Sequence, residues 1–472
     1  MDFIVVGASG AGAFAALLLA RAGHQVLVLE RDHLEPATDV EAAAAVAFRP
    51  MAPQIVQPHI VMARCRELLR TRLPNVYRAL LEAGVAEAPI ANLMPSSLTD
   101  QTARPGDERL TLLMTRRSTV DWVLQRALRT EPGIILRYGV RVLGLLATSE
   151  NPPRVTGVRT DQGDVSASMV VDTTGRRSAI DGWLAEIGAG PSATWRAECG
   201  VAYYSRHYRL RPVVDLPGPP TTRLVAGLDE FLVGIWGADN GVMQLAVGPL
   251  ATDHRFRAVK DPRVFEAVMR TVPTYSAWLE VLDPISGVFP MGAVHNALRR
   301  LVVADAPVAL GLHAIGDAVC TTNPTFGRGL SLALWGAADL VDVVASHGED
   351  LATQALALDA RVVAHVAPYY EDQAVTDSAR LAALRHAIYG TPVSEPSPSR
   401  SDRVTYAELR TAAWFDPTAF RAFWKVMGMI GLPDAVYADP DVVAATRAAL
   451  HRYGNAPMVQ PTRVQLLAAL TS

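Results

Sequence analysis

The sequence is poor in cysteine, from which disulfide frameworks and CxxC metal sites are built. Only three cysteines, Cys65, Cys199 and Cys320, occur among 472 residues, and no two are close in sequence. An odd number of widely spaced cysteines gives neither a paired framework nor a CxxC ligand pair. The histidines show no HxxxH spacing either. We therefore predict no metal site, a reducing cytoplasmic location and a packing role for Cys320.

Basic stripes and long apolar runs are also missing. The formal net charge is −3 and no stripe rich in lysine and arginine is present, which argues against nucleic acid as a partner. No run of about 18 consecutive apolar residues occurs, so we expect no membrane span. Half of the residues are hydrophobic. A chain of this length can therefore bury the core of two or three packed domains.

A glycine-rich loop joins the first predicted strand to the first predicted helix. It reads Gly7-Ala8-Ser9-Gly10-Ala11-Gly12 and lies between the apolar run 3–6 and a helical pattern. Gly7 permits a tight turn, Gly12 lets helix and strand pack closely, and the helix N-terminus can hold a pyrophosphate. Glu30 ends the second strand, where a carboxylate binds the hydroxyls of an unphosphorylated ribose. The pattern predicts a site for FAD or NAD, with an ordinary βαβ turn as the alternative.

A second glycine-containing segment follows some three hundred residues later. Asp317 ends a predicted strand, and the run Asn323-Pro324-Thr325-Phe326-Gly327-Arg328-Gly329-Leu330-Ser331 opens a helix. A short acid at a strand end can bind a polyol hydroxyl, and glycine-exposed amides at a helix N-terminus can stabilise negative charge. By itself the segment is equally consistent with a loop and helix cap. Its pairing with the first motif favours a flavin site.

The region between the two motifs changes in character. Aromatic and β-branched residues fill 201–210, 231–236 and 242–247, and the link 238–241 contains the Asn-Gly pair of tight hairpins. This pattern predicts an antiparallel sheet. Helices are expected after the second motif up to the C-terminus, interrupted by a loop at 391–401, which is rich in Pro and Ser.

The motifs together resemble the FAD-dependent monooxygenases of the aromatic-hydroxylase structural class, and within it the chain is similar to polyether-type epoxidases and related natural-product flavoproteins. The resemblance covers most of the chain. It also rests on Leu29-Glu30-Arg31-Asp32, on Gln57-Pro58-His59 leading a helix that ends at Leu73-Pro74, on Thr115-Arg116, on Val171-Asp172-Thr173-Thr174-Gly175-Arg176-Arg177-Ser178, and on Gly316-Asp317-Ala318-Val319-Cys320.

The resemblance implies an α/β fold. A discontinuous, Rossmann-like FAD-binding domain would span 1–75, 100–185 and 285–345. An inserted antiparallel-sheet substrate domain would span 76–99 and 186–284, and a C-terminal helical region would span 346–472.

The resemblance also implies roles for single residues. The FAD pyrophosphate would be held by Ser9, Gly10, Ala11 and Gly12, and Arg116 would lie beside the flavin phosphates. Glu30 and Arg31 would contact the adenosine part, and Val142 would contact the adenine by its backbone. Asp317 would bind the ribityl chain, and the isoalloxazine would lie beside the amides of Gly327, Gly329 and Leu330. His59 is a candidate either to touch the flavin or move a proton, or to lead its helix as a structural residue.

The middle motif departs from the family pattern. Thr174-Gly175 stands in place of an Asp-Gly pair and Asp181 in place of an arginine. Since that motif handles both FAD and NADPH in the family, the electron source is expected to be either NADPH or reduced flavin from a partner reductase. We expect Asp172 to cap the strand-to-helix turn.

The implied activity is hydroxylation or epoxidation of a hydrophobic natural-product intermediate with molecular oxygen, through a flavin C4a-(hydro)peroxide. The antiparallel sheet would roof the flavin and form an apolar pocket. One alternative is an FAD-dependent reductase or dehydrogenase of a lipid-like alkene, which oxygen dependence would distinguish. Others are a flavin-dependent halogenase, although the Trp-x-Trp-x-Ile-Pro signature is absent, and a non-catalytic flavin-binding or substrate-carrier protein.

Overall fold

The structure, a computed structural model, describes residues 1–49, 52–98, 100–212, 214–218, 225–292, 294–392, 401–454 and 459–472. The strands are β1 (Asp2–Val6), β2 (Gln25–Glu30), β3 (Ile60–Val61), β4 (Ala86–Ala88), β5 (Leu112–Met114), β6 (Ile134–Tyr138), β7 (Val142–Ala147), β8 (Val155–Thr160), β9 (Gly163–Ser166), β10 (Met169–Asp172), β11 (Ala193–Glu198), β12 (Tyr203–Leu210), β13 (Val225–Gly227), β14 (Phe231–Gly237), β15 (Val242–Pro249), β16 (Leu282–Pro284), β17 (Phe289–Met291), β18 (His295–Arg300), β19 (Val302–Val303), β20 (Ala306–Pro307), β21 (Leu312–Ala314) and β22 (Cys320–Thr321). The α-helices are α1 (Gly10–Arg21), α2 (Val40–Ala45), α3 (Ala63–Arg72), α4 (Pro74–Glu82), α5 (Arg117–Thr130), α6 (Ile180–Glu186), α7 (Pro262–Arg270), α8 (Pro273–Leu279), α9 (Gly329–His347), α10 (Leu351–His365), α11 (Ala367–Tyr389), α12 (Tyr406–Ala412), α13 (Pro417–Met427), α14 (Pro433–Tyr437), α15 (Pro440–Tyr453) and α16 (Arg463–Leu470).

A five-stranded parallel sheet has the order β21-β10-β1-β2-β6. Its inner strands read as apolar runs because helices cover them, and Phe3, Ile4 and Val5 of β1 are almost fully buried. From β1 the chain builds outward through β2 to β6, and it later adds β10 and β21 on the other side. This reversal places a topological switch point between β1 and β10. Ligands of such sheets bind beyond the carboxyl ends of the strands at that point.

A six-stranded antiparallel sheet is inserted between the strands of the parallel sheet. It runs β13-β14-β15-β12-β16, with β17 also pairing with β12. The hairpin from β14 to β15 turns through Asn240 and Gly241, whose φ angles of 54° and 71° are both left-handed. Asn and Gly tolerate this conformation better than other residues. The predicted antiparallel sheet and its hairpin are therefore confirmed.

Helix α9 lies in the core. Its apolar residues, among them Leu334, Ala337 and Leu340, are buried together with those of α1 and the parallel sheet. Among the described residues it is the one helix long and apolar enough to cross a membrane, and most of its apolar window is buried inside the protein. Its composition is explained by this central position.

The structure corrects one local prediction and adds elements that the sequence did not indicate. The helix expected to start at His59 starts at Ala63, because Ile60–Val61 is extended and pairs with β5. It ends at Arg72 with Leu73 as its C-cap, at the expected place, and Pro74, which has no N–H to donate, begins the next helix. Helices α7 and α8 were not predicted. Residues 393–400 of the predicted loop lie outside the described residues.

Candidate active site

Three loops meet at the carboxyl edge of the parallel sheet and line one cavity of about 1480 Å³. The loop after β1 contributes Ser9 to Ala11, the loop after β10 contributes 173–177, and the turn after β21 contributes Asp317. Pockets for drug-sized ligands measure about 300–1,000 Å³. This cavity is large enough for a dinucleotide and a second ligand together.

The turn after β1 is closed as tightly as its glycines allow. Gly7 has a φ of 104° and its N–H donates to Leu29 O at 2.8 Å. A Cβ added at Gly12 would lie 1.8 Å from Gly7 O. The Thr173 hydroxyl donates to Val6 O at 2.7 Å and thereby ties the loop after β10 to this turn. Gly7 is thus required by its left-handed backbone conformation, and Gly12 by the close approach of helix α1 to the turn.

The two glycine motifs, far apart in sequence, are in contact. A Cβ added at Gly10 would lie 2.8 Å from the Arg117 guanidinium and 2.9 Å from Leu330. One added at Gly316 would lie 2.6 Å from the Ala11 Cβ. The two motifs that the sequence analysis paired therefore lie next to each other in the structure.

Two helix N-termini point their first turns at the cavity. Helix α1 begins at Gly10 and helix α9 at Gly329, and neither has a side-chain cap. Gly327 ends the preceding turn in the left-handed region, with a φ of 65°. Uncapped first-turn amides carry unused donors and a partial positive charge. Both N-termini can therefore bind anionic or polar ligand atoms.

Asp317 lies between positive charges on the cavity wall. Burial raises the pKa of its carboxyl above the ordinary value, and the charges of Arg117 and Arg176 oppose that rise. Arg176 is half-buried on the same wall, and burial together with the neighbouring Arg177 lowers its pKa. The wall thus combines a hydrogen-bonding carboxylate with cations that suit phosphate.

Glu30 lies behind the glycine loop, outside the cavity lining. Its carboxylate accepts the backbone N–H of Ala8 at 2.8 Å and that of Asp32 at 2.9 Å. A carboxylate has about four acceptor sites, so capacity for ribose hydroxyls remains. Arg31 is exposed, and Val142 begins β7 close to this strand end. The contacts of Glu30, Arg31 and Val142 with the adenosine part of FAD therefore stay predictions.

Arg116 and Arg117 face different surroundings. The Arg116 guanidinium is buried and engaged by Asp239 and Glu41, so the structure does not bring it to the cavity. Arg117, the next residue, lines the cavity and donates to Ser9 Oγ at 3.4 Å. The sequence prediction missed Arg117 because two adjacent arginines at a helix start cannot be told apart without the helix orientation.

His59 lines the cavity with a ring nitrogen free to bind a ligand. Its backbone is fixed on both sides by Gln244, which accepts the His59 N–H at 3.1 Å and donates to His59 O at 2.9 Å. Its Nε2 is buried without a hydrogen-bond partner among the described residues. Burial, aided by Arg117, lowers the pKa of the imidazole to about 3. The ring is therefore neutral near pH 7 and can exchange one hydrogen bond with a ligand.

Asp172 holds the turn after β10. Its carboxylate accepts the Thr174 N–H at 2.9 Å and the hydroxyls of Thr174 and Ser178. The expected capping role is confirmed.

Cys320 packs in the core, where burial raises the pKa of its thiol, as expected for a packing residue. Within the described residues, no cluster of three or more His, Cys, Asp or Glu could hold a metal ion.

Beyond the loops, the cavity continues into an aromatic chamber. Helices α12 and α13 and strand β14 supply much of its wall, with Trp236, Phe326, Tyr406, Trp414, Phe415, Phe420, Phe423 and Trp424 among the lining residues. The sequence predicted an apolar pocket under the antiparallel sheet, but not the aromatic residues that α12 and α13 contribute to it. The signal was present, because Phe420, Phe423, Trp424 and Met427 follow helical spacing, but such a stripe is equally typical of a core.

Strand order, inserted sheet and site position can be compared with those of known proteins. No family model matches the chain. Protein Rv3254 of Mycobacterium tuberculosis (strain ATCC 25618 / H37Rv) is 25% identical to it, with 95% of this chain and 93% of that protein covered.

Solved structures share the fold at low sequence identity. PqsL of Pseudomonas aeruginosa, described as a probable FAD-dependent monooxygenase, superimposes with a TM-score of 0.58 at 16% identity, covering 82% of this chain and 99% of PqsL. The flavin-dependent brominase Bmp2 superimposes with a TM-score of 0.63 at 14% identity, covering 96% and 99%. The chain therefore has the fold of FAD-dependent monooxygenases and flavin-dependent halogenases, which confirms the predicted fold class. The similarity to polyether-type epoxidases stays a prediction.

Proposed function

We propose that the protein is an FAD-dependent monooxygenase that uses molecular oxygen to hydroxylate or epoxidise a hydrophobic small molecule. The main support is that one cavity contains two uncapped helix N-termini, a half-buried carboxylate and cationic side chains, and that it continues into an aromatic chamber. The first group of features suits a flavin dinucleotide and the second suits an apolar substrate. The solved structures with the same fold include PqsL, described as a probable FAD-dependent monooxygenase.

The residues at the sheet edge fit FAD by the chemistry of their donors. The amides of the α1 first turn and the Arg117 guanidinium would hold the pyrophosphate. Asp317 would accept ribityl hydroxyls, and the amides of Gly329 and Leu330 would stabilise negative charge on the isoalloxazine. When bound, FAD supplies the redox chemistry for oxygen activation.

The protein's own contribution is orientation and exclusion of water. The aromatic chamber adjoins the α9 N-terminus, so a substrate in it faces the segment proposed for the isoalloxazine. His59, neutral and fixed by Gln244, would give one hydrogen bond to cofactor or substrate. Hydrophobic and aromatic walls keep water away from reactive species in the site.

The test is to purify the protein with FAD and add NADPH without oxygen while following the visible flavin band. Bleaching followed by oxygen uptake supports a monooxygenase that reduces its own flavin. Bound flavin that bleaches only with a separate flavin reductase supports a two-component monooxygenase. Turnover of an alkene without oxygen would replace the proposal by a reductase, and incorporation of added bromide or chloride would replace it by a halogenase. A protein that binds no flavin would contradict the proposal, because each of these functions requires the bound cofactor.

Arg117→Gln is expected to weaken FAD binding about ten- to hundredfold, because a hydrogen bond to a charged group contributes about 1.5–3 kcal/mol. The measurement is the FAD dissociation constant, obtained by fluorescence titration of the apoprotein. Arg126→Gln is the matched control, since Arg126 lies on the same helix but stacks on Trp122 with its guanidinium 4.6 Å from the ring centre. Equal affinities for both variants would rule out a phosphate contact by Arg117.

A further inference from the structure

Tyr406 links the C-terminal helices to the segment proposed for the flavin ring. It is the first residue of α12, and a capping box between Thr405 and Glu408 fixes the start of that helix. Its ring stacks on Phe326, with 4.8 Å between ring centres and an interplanar angle of 30°. Phe326 directly precedes Gly327, so the position of Tyr406 is fixed relative to the start of α9.

Tyr406 lines the cavity, and its hydroxyl has a weak partner. Among the residues that the structure describes, its one hydrogen bond goes to Met427 Sδ at 3.9 Å. A thioether is a poor acceptor, whereas a phenol can donate a full hydrogen bond. Both Tyr406 and Met427 line the chamber. A ligand oxygen could therefore replace the sulfur without breaking any strong contact.

The surrounding side chains restrict the shape of that ligand. Phe423 lies 5.9 Å from the Tyr406 ring, and Trp424 follows 5.5 Å from Phe423 in an edge-to-face arrangement. Aromatic rings prefer offset-stacked and edge-to-face neighbours over other packing. Flat, unsaturated rings therefore fit this wall better than saturated ones.

We propose that Tyr406 is a specificity-determining residue, whose hydroxyl donates a hydrogen bond to an acceptor oxygen on a flat, unsaturated ring substrate. This rests on the proposed function, because the bond would orient the substrate toward the segment assigned to the isoalloxazine. The substrate class is thereby narrowed from any hydrophobic molecule to planar ring systems that carry a carbonyl or similar oxygen.

The experiment compares 9-fluorenone with fluorene, two planar probes of nearly the same size that differ by one carbonyl oxygen. Their dissociation constants are measured on the FAD-loaded protein by quenching of tryptophan fluorescence. Wild type is expected to bind 9-fluorenone about three- to tenfold more tightly, the net contribution of one hydrogen bond. In Tyr406→Phe this preference should disappear, with fluorene binding unchanged.

Tyr389→Phe is the matched control, because Tyr389 is an exposed tyrosine outside the cavity lining, and it should keep the wild-type preference. Equal affinity of the two probes for the wild-type protein would overturn the proposal without any variant. Equal weakening of both probes in Tyr406→Phe would assign the residue to packing alone. Perhydrofluorene, saturated and not flat, should bind at least threefold more weakly than fluorene, and tighter binding would refute the planar class.

A failure of this inference can be told from a failure of the proposed function. Flavin content is measured first, from the visible absorption of the purified protein. Protein without flavin would contradict the proposed function, whereas flavin-loaded protein that does not discriminate the probes would contradict only the role of Tyr406.

Discussion

Gly12→Ala protein is expected to be purified without bound FAD and with a lower urea midpoint than wild type. The added methyl group would lie 1.8 Å from Gly7 O and 2.7 Å from the Thr173 hydroxyl. The nearest atom belongs to the backbone, so a side-chain rotation cannot relieve the clash. Overpacking typically costs about 1–3 kcal/mol, and here the turn that would present amides to the pyrophosphate must open. FAD affinity should therefore fall by at least about tenfold.

The control is Gly182→Ala, in which nothing lies within 4 Å of the added methyl group. Gly182 is exposed within helix α6, and alanine is favoured over glycine in helices by about 1 kcal/mol. This variant should be as stable as wild type or more so, with unchanged flavin content. If Gly12→Ala behaved like Gly182→Ala, the close packing of α1 on the turn would be wrong.

Features fixed by neighbouring residues were predictable from the sequence. Strands Gln25–Glu30 and Ile134–Tyr138 match their apolar runs. Burial explains the first of them, since four of its six residues are buried, whereas the second is an edge strand whose run of β-branched and aromatic residues carries the signal. The β14–β15 hairpin follows from Asn240-Gly241, the pair most suited to two left-handed residues in succession. Signals of this kind can be read from a few consecutive residues, without knowledge of distant contacts.

The composition of the site was predictable only in part. The two glycine motifs and His59 were found because each carries a local pattern. Arg117 and the aromatic residues of α12 and α13 in the cavity were not found, because they depend on which face of a helix meets a distant segment. Tyr406 and Phe326, for example, are stacked although 80 residues separate them. Contacts of this kind are decided by tertiary packing and leave no periodic signal of their own.

A buried ion pair joins the inserted sheet to the helix that carries Arg117. Asp239, in the β14–β15 hairpin, is fully buried and accepts the Arg116 backbone N–H at 2.7 Å, its Nε at 2.9 Å and its Nη2 at 2.6 Å. Burial alone would raise the pKa of Asp239, but the hydrogen bonds and charge of Arg116 outweigh it and the pKa is lowered. Glu41 binds the other side of the guanidinium at 2.8 Å, from a half-exposed position.

Asp239→Ala is expected to lower the free energy of unfolding by about 3–5 kcal/mol, because it leaves the Arg116 guanidinium buried without its main partner. Glu41→Gln should cost less than about 1 kcal/mol, since water already screens that carboxylate. Urea denaturation of both variants measures the difference. The double variant Arg116→Met with Asp239→Ala should recover much of the loss, because no uncompensated charge then remains. Without that recovery, the cost would lie in the hairpin backbone. The ion pair would then not be what joins the inserted sheet to helix α5.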